Sequence, residues 1–323
     1  MVFYRSSDSN PGEHGVQVGT SFFKGYPASD WDSAFIETPG MYFAFFAIPL
    51  SFDPNQDRVQ LIAKDAVGNQ TTASMNFRVR NLRNRERKLA IELGFLDLKV
   101  SKHYQKLIEY KAALDASIAE DYSAPTSAEE RVRRFKLISQ DYRAITEKRL
   151  AEIFLKSEAK RYWSGVFSRY GFGTKRYWFG DTVSYEFKGE VLGSYIETGA
   201  ELVSGPEVLA RAANGGKVVF AGDMGMYGDT VIVDHGFGLT SIYSNLSYIA
   251  CRIDQVLESG DPIGKYGASG FNSGQHLQFE MRLQGVPVRP IEWWDQSWIT
   301  DHIENRVRDL KKQLGMKDPE DLI

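Results

Sequence analysis

The chain opens with a β pattern over residues 1–80. Two stretches alternate apolar and polar residues as a half-buried strand does, with apolar side chains at Val59, Leu61 and Ala63 and again at Met75, Phe77 and Val79. Between them, Asp65-Ala66-Val67-Gly68-Asn69 supplies the residue types that form tight turns. The pattern predicts a β-hairpin within a small sandwich-like module that ends near residue 80.

The pattern becomes helical over residues 81–170. After a charged entry at Asn81–Lys88, apolar residues recur at three- and four-residue steps; they include Leu107, Ile108, Leu114 and Ile118, then Val132, Phe135, Ile138, Tyr142 and Ile145. The stretch Ser123-Ala124-Pro125-Thr126 interrupts the run, and Thr126 with Glu129 matches a capping box. We therefore predict an amphipathic helix from 127 to about 158 that packs on its neighbours.

Short β-rich stretches return over residues 171–300. They lie at Lys217–Ala221, Thr230–Asp234, Thr240–Leu246 and His276–Leu283, with glycine turns between them. Many short strands at this spacing predict an antiparallel β domain. A closing helix over 301–323 places Ile303, Val307, Leu310 and Leu314 on one face. The predicted fold class is mainly β with a helical middle segment, an α+β multidomain chain.

Composition agrees with a folded protein and removes several function classes. The chain has 323 residues, 42% hydrophobic and 25% charged, with a formal charge of -3. Its basic residues are spread along the chain, so we expect no nucleic-acid partner. The one cysteine, Cys251, permits neither an intramolecular disulfide nor a thiolate metal cluster, and we expect it to be a small buried residue.

Membrane and targeting signals are weak in this sequence. The best apolar run, Met41–Leu50, is much shorter than the roughly 20 residues of a membrane span, so a buried strand is the better interpretation. The first six residues lack the charged, apolar and small segments of a signal peptide. We expect either a cytosolic protein or one whose signal or membrane anchor precedes this chain.

The segment Gly274–Glu280 carries the clearest candidate chemistry. Side chains repeat every two residues in a strand, so His276 and Gln278 project from the same face. An H-x-H pair at these positions would serve a metal and a reacting group together. The Gln278 amide is a weak oxygen donor, however, and zinc sites are built from Cys, His and carboxylate ligands.

Residues 179–299 resemble the LytM/lysostaphin-type zinc metallopeptidases, which cut peptide cross-links in peptidoglycan. The matching pieces occur in order at 218–222, 227–236, 238–244, 274–280 and 290–295. The resemblance implies a LytM-type domain with the duplicated hybrid motif over 171–300. More weakly, the Asp-x-x-Gly-Asn turn at Asp65 resembles turns of immunoglobulin-like modules, which agrees with a sandwich over 1–80.

The resemblance also implies a loss of the zinc ligands. In active members, zinc is held by the His and Asp of H-x-x-x-D and by the second His of H-x-H. These positions fall on Glu197, Glu201 and Gln278, and the assisting histidine of a Tyr-x-His-Leu-Ser segment falls on Asn245. His276 remains. Because zinc is what lowers the pKa of the attacking water from near 16 to roughly 7, we expect neither zinc nor catalysis.

Other readings of these residues remain open. Glu197, Glu201 and Gln278 would form an oxygen-rich site for a harder cation, although Ca²⁺ takes six to eight oxygen ligands. A glycosidase-like carboxylate pair is weaker still. His276 is most simply a strand residue paired with Glu197 or Glu201, which would favour its charged form. His235 is expected to have a structural role in the turn after a strand.

The sequence therefore predicts a non-catalytic protein of the periplasm or cell envelope, located there by resemblance. Its remnant groove, with Glu197, Glu201, Gln278, His276 and Asn245, would bind peptidoglycan or a partner cell-wall hydrolase, since degenerate members of the family activate amidases through this groove. Two alternatives stay open. One is an active peptidoglycan endopeptidase with altered metal ligands, and the other is a structural scaffold of an envelope assembly.

Overall fold

The structure is a computed structural model that describes residues 1–6, 12–65, 67–75, 79, 84–114, 125–169, 173–205, 207–272 and 274–316. Several predicted features lie outside these residues: the turn position Ala66, the strand position Phe77, the helical entry at Asn81, the helix position Ile118, and Ser123 and Ala124 of the predicted break. Within the described ranges the chain is mainly β with a helical middle segment, as predicted.

The N-terminal module consists of two small sheets. One has the strand order β1-β5-β4 and the other the order β3-β2-β6-β7. The strands are β1 (Val2–Arg5), β2 (His14–Val18), β3 (Ser21–Lys24), β4 (Tyr26–Pro27), β5 (Met41–Ala44), β6 (Val59–Lys64) and β7 (Gln70–Ser74), and a short helix, α1, covers Ala28–Trp31. The predicted buried strand at Met41–Leu50 is therefore real but ends at Ala44.

The predicted hairpin exists, but its second strand begins earlier than predicted. Asp65 Oδ1 accepts hydrogen bonds from the backbone N–H groups of Val67 (2.9 Å) and Asn69 (2.8 Å), which closes a tight turn. Pairing resumes at once, from Lys64 opposite Gln70 to Gln60 opposite Ser74. Because the turn fixes the register, polar and exposed residues form β7, and Met75, where the predicted alternation begins, follows the last residue of the strand.

The N-terminal module shares one apolar core with the C-terminal domain. The ring of Phe237 contacts both Phe43 (5.0 Å between centroids) and Tyr26 (5.1 Å). The ring centroids of Trp31 and Trp163 are similarly 5.9 Å apart. These buried aromatic pairs stabilise the fold by more than the burial of their apolar area, because their rings meet edge to face.

The middle segment begins with a strand that the sequence did not predict. β8 (Glu86–Ala90) pairs in parallel with β10 (Thr182–Phe187), which in turn pairs with β11 (Glu190–Ile196). Helices α2 (Leu93–Phe95), α3 (Ser101–Leu114), α4 (Ala128–Leu137) and α5 (Arg143–Phe154) follow, with π-helical turns at Leu96–Val100 and Ile138–Tyr142. The predicted long helix is thus confirmed over 128–154.

The cap of this long helix lies one residue later than predicted. Ser127, in extended conformation, accepts a hydrogen bond from the backbone N–H of Glu130 (3.1 Å). A side-chain oxygen at this place satisfies one of the unpaired donors of the first turn. The predicted pair, Thr126 with Glu129, is therefore wrong, and Ser127 is the N-cap.

Residues 93–114 and 128–154, here called the helical cap, pack against two loops of the C-terminal domain. Their apolar side chains form one buried cluster with β10 and β11, and this cluster includes Met226 and Phe271 from the loops. His103 lies inside this contact, fully buried, with its ring 5.3 Å from that of Phe271. The helical cap therefore covers one side of the β domain.

We expect His103 to make the protein sensitive to acid. Burial, reinforced by nearby lysines, lowers its pKa to about 3, whereas an unfolded histidine titrates near 6.5. The unfolded state thus takes up the proton first, and stability falls as the pH drops below about 6.5, by about 2 kcal/mol at pH 5. Urea unfolding at pH 7.5 and pH 5 should show a smaller acid loss for His103→Leu than for the natural protein.

His302, which is exposed, gives the matched control for that measurement. His302→Leu should leave the acid loss unchanged. His235 also has a pKa lowered by burial, to about 4, so His103→Leu keeps part of the sensitivity. An equal acid loss in His103→Leu and the natural protein would contradict the assignment to His103.

The C-terminal domain is built on an antiparallel sheet with the order β17-β14-β15-β16-β19-β12-β9, to which β13, β18 and β20 are added. The strands are β9 (Thr174–Trp178), β12 (Ala200–Val203), β13 (Leu209–Arg211), β14 (Gly216–Asp223), β15 (Asp229–Gly236), β16 (Leu239–Ile249), β17 (Val256–Leu257), β18 (Pro262–Tyr266), β19 (Leu277–Leu283) and β20 (Val286–Val288). The predicted antiparallel β domain and its main strands are confirmed.

The C-terminal helices close the structure against the N-terminal module. They are α6 (Pro290–Trp293), α7 (Gln296–Ile299) and α8 (Asn305–Gln313), with a π-helical turn at Thr300–Glu304. Leu310 on α8 is buried beside Phe35, and Lys311 forms an ion pair with Asp32 at 2.7 Å. The predicted apolar face of the final helix is confirmed. Among the described residues, no helix is both long and apolar enough to cross a bilayer.

Candidate functional site

A groove of about 390 Å³ lies between the sheet and the helical cap. Strands β12 and β19 form its floor, α5 and the loop residues Met226 and Phe271 form its opposite side, and Tyr185 and Tyr195 of the β10–β11 hairpin form a wall. Glu197, Glu201, His276 and Gln278 all line it. Four of the five predicted site residues are thus brought together.

Strand alternation explains how β19 builds both the core and the groove. Leu277, Phe279 and Met281 are fully buried in the main apolar core. The intervening side chains point to the other face of the strand. Gln278 therefore faces the groove, and its neighbour across the sheet is Glu201 on β12. This pairing places the two predicted ligand positions side by side.

Glu197 is a buried carboxylate held by neutral groups. The Gln278 amide donates a hydrogen bond to its Oε1, and the backbone N–H of Gly199 donates another at 2.9 Å. Burial, and then the negative charge of Glu280, raise the pKa of Glu197 to about 7, although both hydrogen bonds work in the opposite direction. A carboxyl with this pKa changes its charge near neutral pH, which is typical of functional sites.

His276 immediately precedes the first residue of β19. Its backbone N–H donates to the carbonyl of Gly267 at 3.0 Å, and its Nδ1 lies 3.6 Å from Glu201 Oε1. Both side chains are almost fully buried. The predicted proximity of His276 to Glu201 is therefore confirmed, while its protonation state stays a prediction.

Asn245 is the predicted site residue that does not line the groove. Its amide nitrogen donates to the carbonyls of Gly267 (2.7 Å) and His276 (3.0 Å), and its Oδ1 accepts from the N–H of Gly270 (2.9 Å). The residue has a left-handed backbone with φ of 66°, which asparagine tolerates better than most residues. Asn245 thus fixes the loop behind the groove, and its binding role stays a prediction.

His235 has a structural role but lies within a strand and not in the turn after it. It is fully buried in β15, with Nδ1 2.6 Å from the carbonyl oxygen of Gly215 and Nε2 2.8 Å from Ser241 Oγ. Both ring nitrogens are satisfied by local partners. The turn begins where β15 ends, at Gly236, and the backbone φ is positive there and at Phe237 and Gly238.

Beside the groove, a buried ion cluster that no sequence pattern predicts joins the helical cap to the sheet. The Arg282 guanidinium contacts Glu280 at 3.0 Å and Glu147 at 2.8 Å, and it reaches the Tyr227 hydroxyl at 2.9 Å. Tyr227 also donates to Glu147 at 3.0 Å. The alternation after Gln278 places Glu280 and Arg282 on the groove face, but no pattern links them to Glu147 on α5.

The residues at the ligand positions do not fit zinc. The groove offers Glu197, Glu201 and Gln278 in place of two imidazoles and an aspartate, and the Gln278 NH₂ group faces the Glu197 carboxylate. An amide NH₂ is a donor group that cannot ligate a cation. Across the described part of the chain, no three His, Cys, Asp or Glu side chains are arranged to hold a metal ion.

The sheet and groove define a LytM-type domain with altered ligand positions. Residues 187–290 match the sequence model described as Peptidase family M23, and this domain therefore belongs to that family. Over 96 residues the chain is 31% identical to the DD-carboxypeptidase/endopeptidase Mpg of Neisseria meningitidis, which covers 30% of this chain and 22% of that protein. The match thus spans about a fifth of the relative's length.

Two further similarities extend the comparison. The chain is 33% identical over 108 residues to the murein hydrolase activator EnvC of Escherichia coli, which covers 33% of this chain and 25% of that protein. A crystal structure of a putative peptidase M23 from Pseudomonas aeruginosa is 17% identical, covers 91% of this chain and 92% of its own, and superposes with a TM-score of 0.49.

Proposed function

We propose that this chain is a catalytically inactive M23-type protein of the cell envelope, located outside the cytoplasm, whose groove binds peptidoglycan or a partner cell-wall hydrolase. One observation carries the proposal. Glu197 and Gln278, at two of the three ligand positions, are hydrogen-bonded to each other and face the groove. The groove is retained while its catalytic ligand set is replaced, as expected of a binding surface.

The relatives support both an enzymatic and a regulatory function at similar identity. The Neisseria meningitidis relative is a DD-carboxypeptidase/endopeptidase at 31% identity, and the Escherichia coli relative is a murein hydrolase activator at 33%. Identity alone therefore does not choose between the two classes. The chemistry of the ligand positions favours the regulatory class, because the resemblance implies a mechanism in which zinc activates the attacking water at neutral pH.

Metal content and cell-wall digestion test this proposal. We expect the purified protein to contain far less than stoichiometric zinc, and to release no peptide cross-links from peptidoglycan with or without added Zn²⁺. An active M23 peptidase digested in parallel provides the positive control. Stoichiometric zinc and cross-link cleavage that both disappear in Glu197→Ala would refute the proposal and establish the altered-ligand endopeptidase.

A further inference from the structure

We propose that the groove receives a guanidinium side chain of a partner protein, and that Arg143 of the helical cap takes this place within the chain itself. This inference rests on the proposed function, since it names the chemistry of the ligand at the same groove. Three independent features support it: the balance of charge, an aromatic contact of Arg143, and a buried acceptor that has no hydrogen-bond donor among the described residues.

The charge balance of the groove is negative. The carboxylates of Glu147, Glu197, Glu201 and Glu280 line it. Arg282 forms ion pairs with Glu147 and Glu280, both within 3.0 Å. The groups that hydrogen-bond Glu197, by contrast, are an amide and a backbone N–H, and both are neutral. A cation entering the groove would therefore offset a buried charge that these neutral groups only partly stabilise.

Arg143 shows how a guanidinium group fits into the groove. It projects from α5 into the groove lining, where its guanidinium carbon lies 5.0 Å from the centre of the Tyr195 ring. Stacking on an aromatic face is a preferred mode of guanidinium recognition, and it is stronger where the cation is shielded from water. Arg143 is half-buried and belongs to the helical cap, so its guanidinium is a candidate for displacement by one from outside.

Asn272 adds an acceptor to the same lining. Its Oδ1 is shielded from solvent and accepts no hydrogen bond from any residue that the structure describes. Guanidinium carries five N–H donors and no acceptor. A ligand of this type would supply the missing donor, whereas an anion would face the groove carboxylates and be repelled.

A charged probe and a neutral probe of similar shape distinguish binding of the guanidinium charge from binding that depends on shape alone. N-acetyl-arginine methylamide and N-acetyl-citrulline methylamide have nearly the same shape, but only the first carries a positive charge. The full chain, labelled at its methionine methyl groups, would be titrated with each probe, with the signal of Met226 at the groove as the readout. We expect the arginine probe, and not the citrulline probe, to shift this signal.

Two substitutions are expected to move the affinity in opposite directions. Arg143→Gln removes the internal competitor and should tighten binding of the arginine probe by roughly three- to tenfold. Glu197→Gln keeps the shape but removes the carboxylate, and should weaken binding by about tenfold. Lys148→Gln, five residues after Arg143 on α5 and exposed, removes the same charge outside the groove and should change nothing.

Equal shifts with the two probes, or no shift with either in both the natural protein and Arg143→Gln, would overturn the guanidinium assignment. Unfolding curves for each variant ensure that a lost signal is not lost structure. The proposed function is assessed separately, by sedimentation with peptidoglycan and by activation of a purified hydrolase. Groove-dependent binding in those assays without guanidinium binding would reject this inference alone.

Discussion

The triple variant Glu197→His, Glu201→Asp and Gln278→His is expected to bind one zinc ion. Glu201 and Gln278 are direct neighbours across β12 and β19, and Glu197 already contacts Gln278 through a hydrogen bond. Two histidines and an aspartate at these positions would restore the ligand types that zinc prefers. Metal analysis of the dialysed protein measures the stoichiometry directly.

Zinc should also stabilise the triple variant against unfolding. A ligand that binds the native state alone adds about 4 kcal/mol at a thousandfold excess over its dissociation constant. The double variant that retains Gln278 serves as the control and should bind zinc much more weakly. A folded triple variant that retains no zinc would show that these positions do not correspond to the ligand positions of the family.

Restored zinc is not expected to restore cleavage. The resemblance places the second assisting histidine at Asn245, and this side chain is fully buried and bonded to the backbone of Gly267, Gly270 and His276. Its replacement by histidine would remove a hydrogen-bonding pattern that fixes the loop. The change at this position therefore involves the structure of the loop as well as the chemistry of the side chain.

Local patterns predicted the strands of the β domain, whereas the predicted ligand positions came from the resemblance to the family. Alternation along β19 places Gln278 and Glu280 on one face, and the glycine turns separate strands whose order is typical of the family. The ion cluster could not be predicted in this way. Its helix–strand contact joins Glu147 and Arg282, which are 135 residues apart in the chain.

Strand β8 is a second element that the sequence pattern does not predict. Three of its five residues, Glu86–Ala90, are charged, and every second one is exposed. The strand forms the edge of its small sheet. An edge strand of this kind buries little apolar surface, so its sequence has the polar composition of a helix entry or loop. The pairing with β10, more than 80 residues further along, is what makes it a strand.

Arg282→Met is expected to be among the most destabilising single substitutions in the chain. The change leaves two carboxylates, those of Glu280 and Glu147, without their cation beside the groove, and Glu280 is fully buried. Breaking a buried ion pair from one side costs about 3–5 kcal/mol, because the remaining charge loses its compensation. Urea unfolding at neutral pH would measure this loss as a change in the free energy of unfolding.

A comparison variant distinguishes lost charge pairing from lost packing. Arg282→Met combined with Glu280→Gln and Glu147→Gln removes every charge of the cluster and should recover much of the stability, since neutral groups in this place carry a smaller desolvation cost. Lys217→Met, which disrupts a more exposed ion pair with Glu158, should cost less than about 1 kcal/mol. If the charge-free variant with Arg282→Met, Glu280→Gln and Glu147→Gln is as unstable as Arg282→Met alone, packing and not charge holds the helical cap to the sheet. The cluster would then stabilise the groove through shape, and a charged ligand would have little influence on the position of the cap.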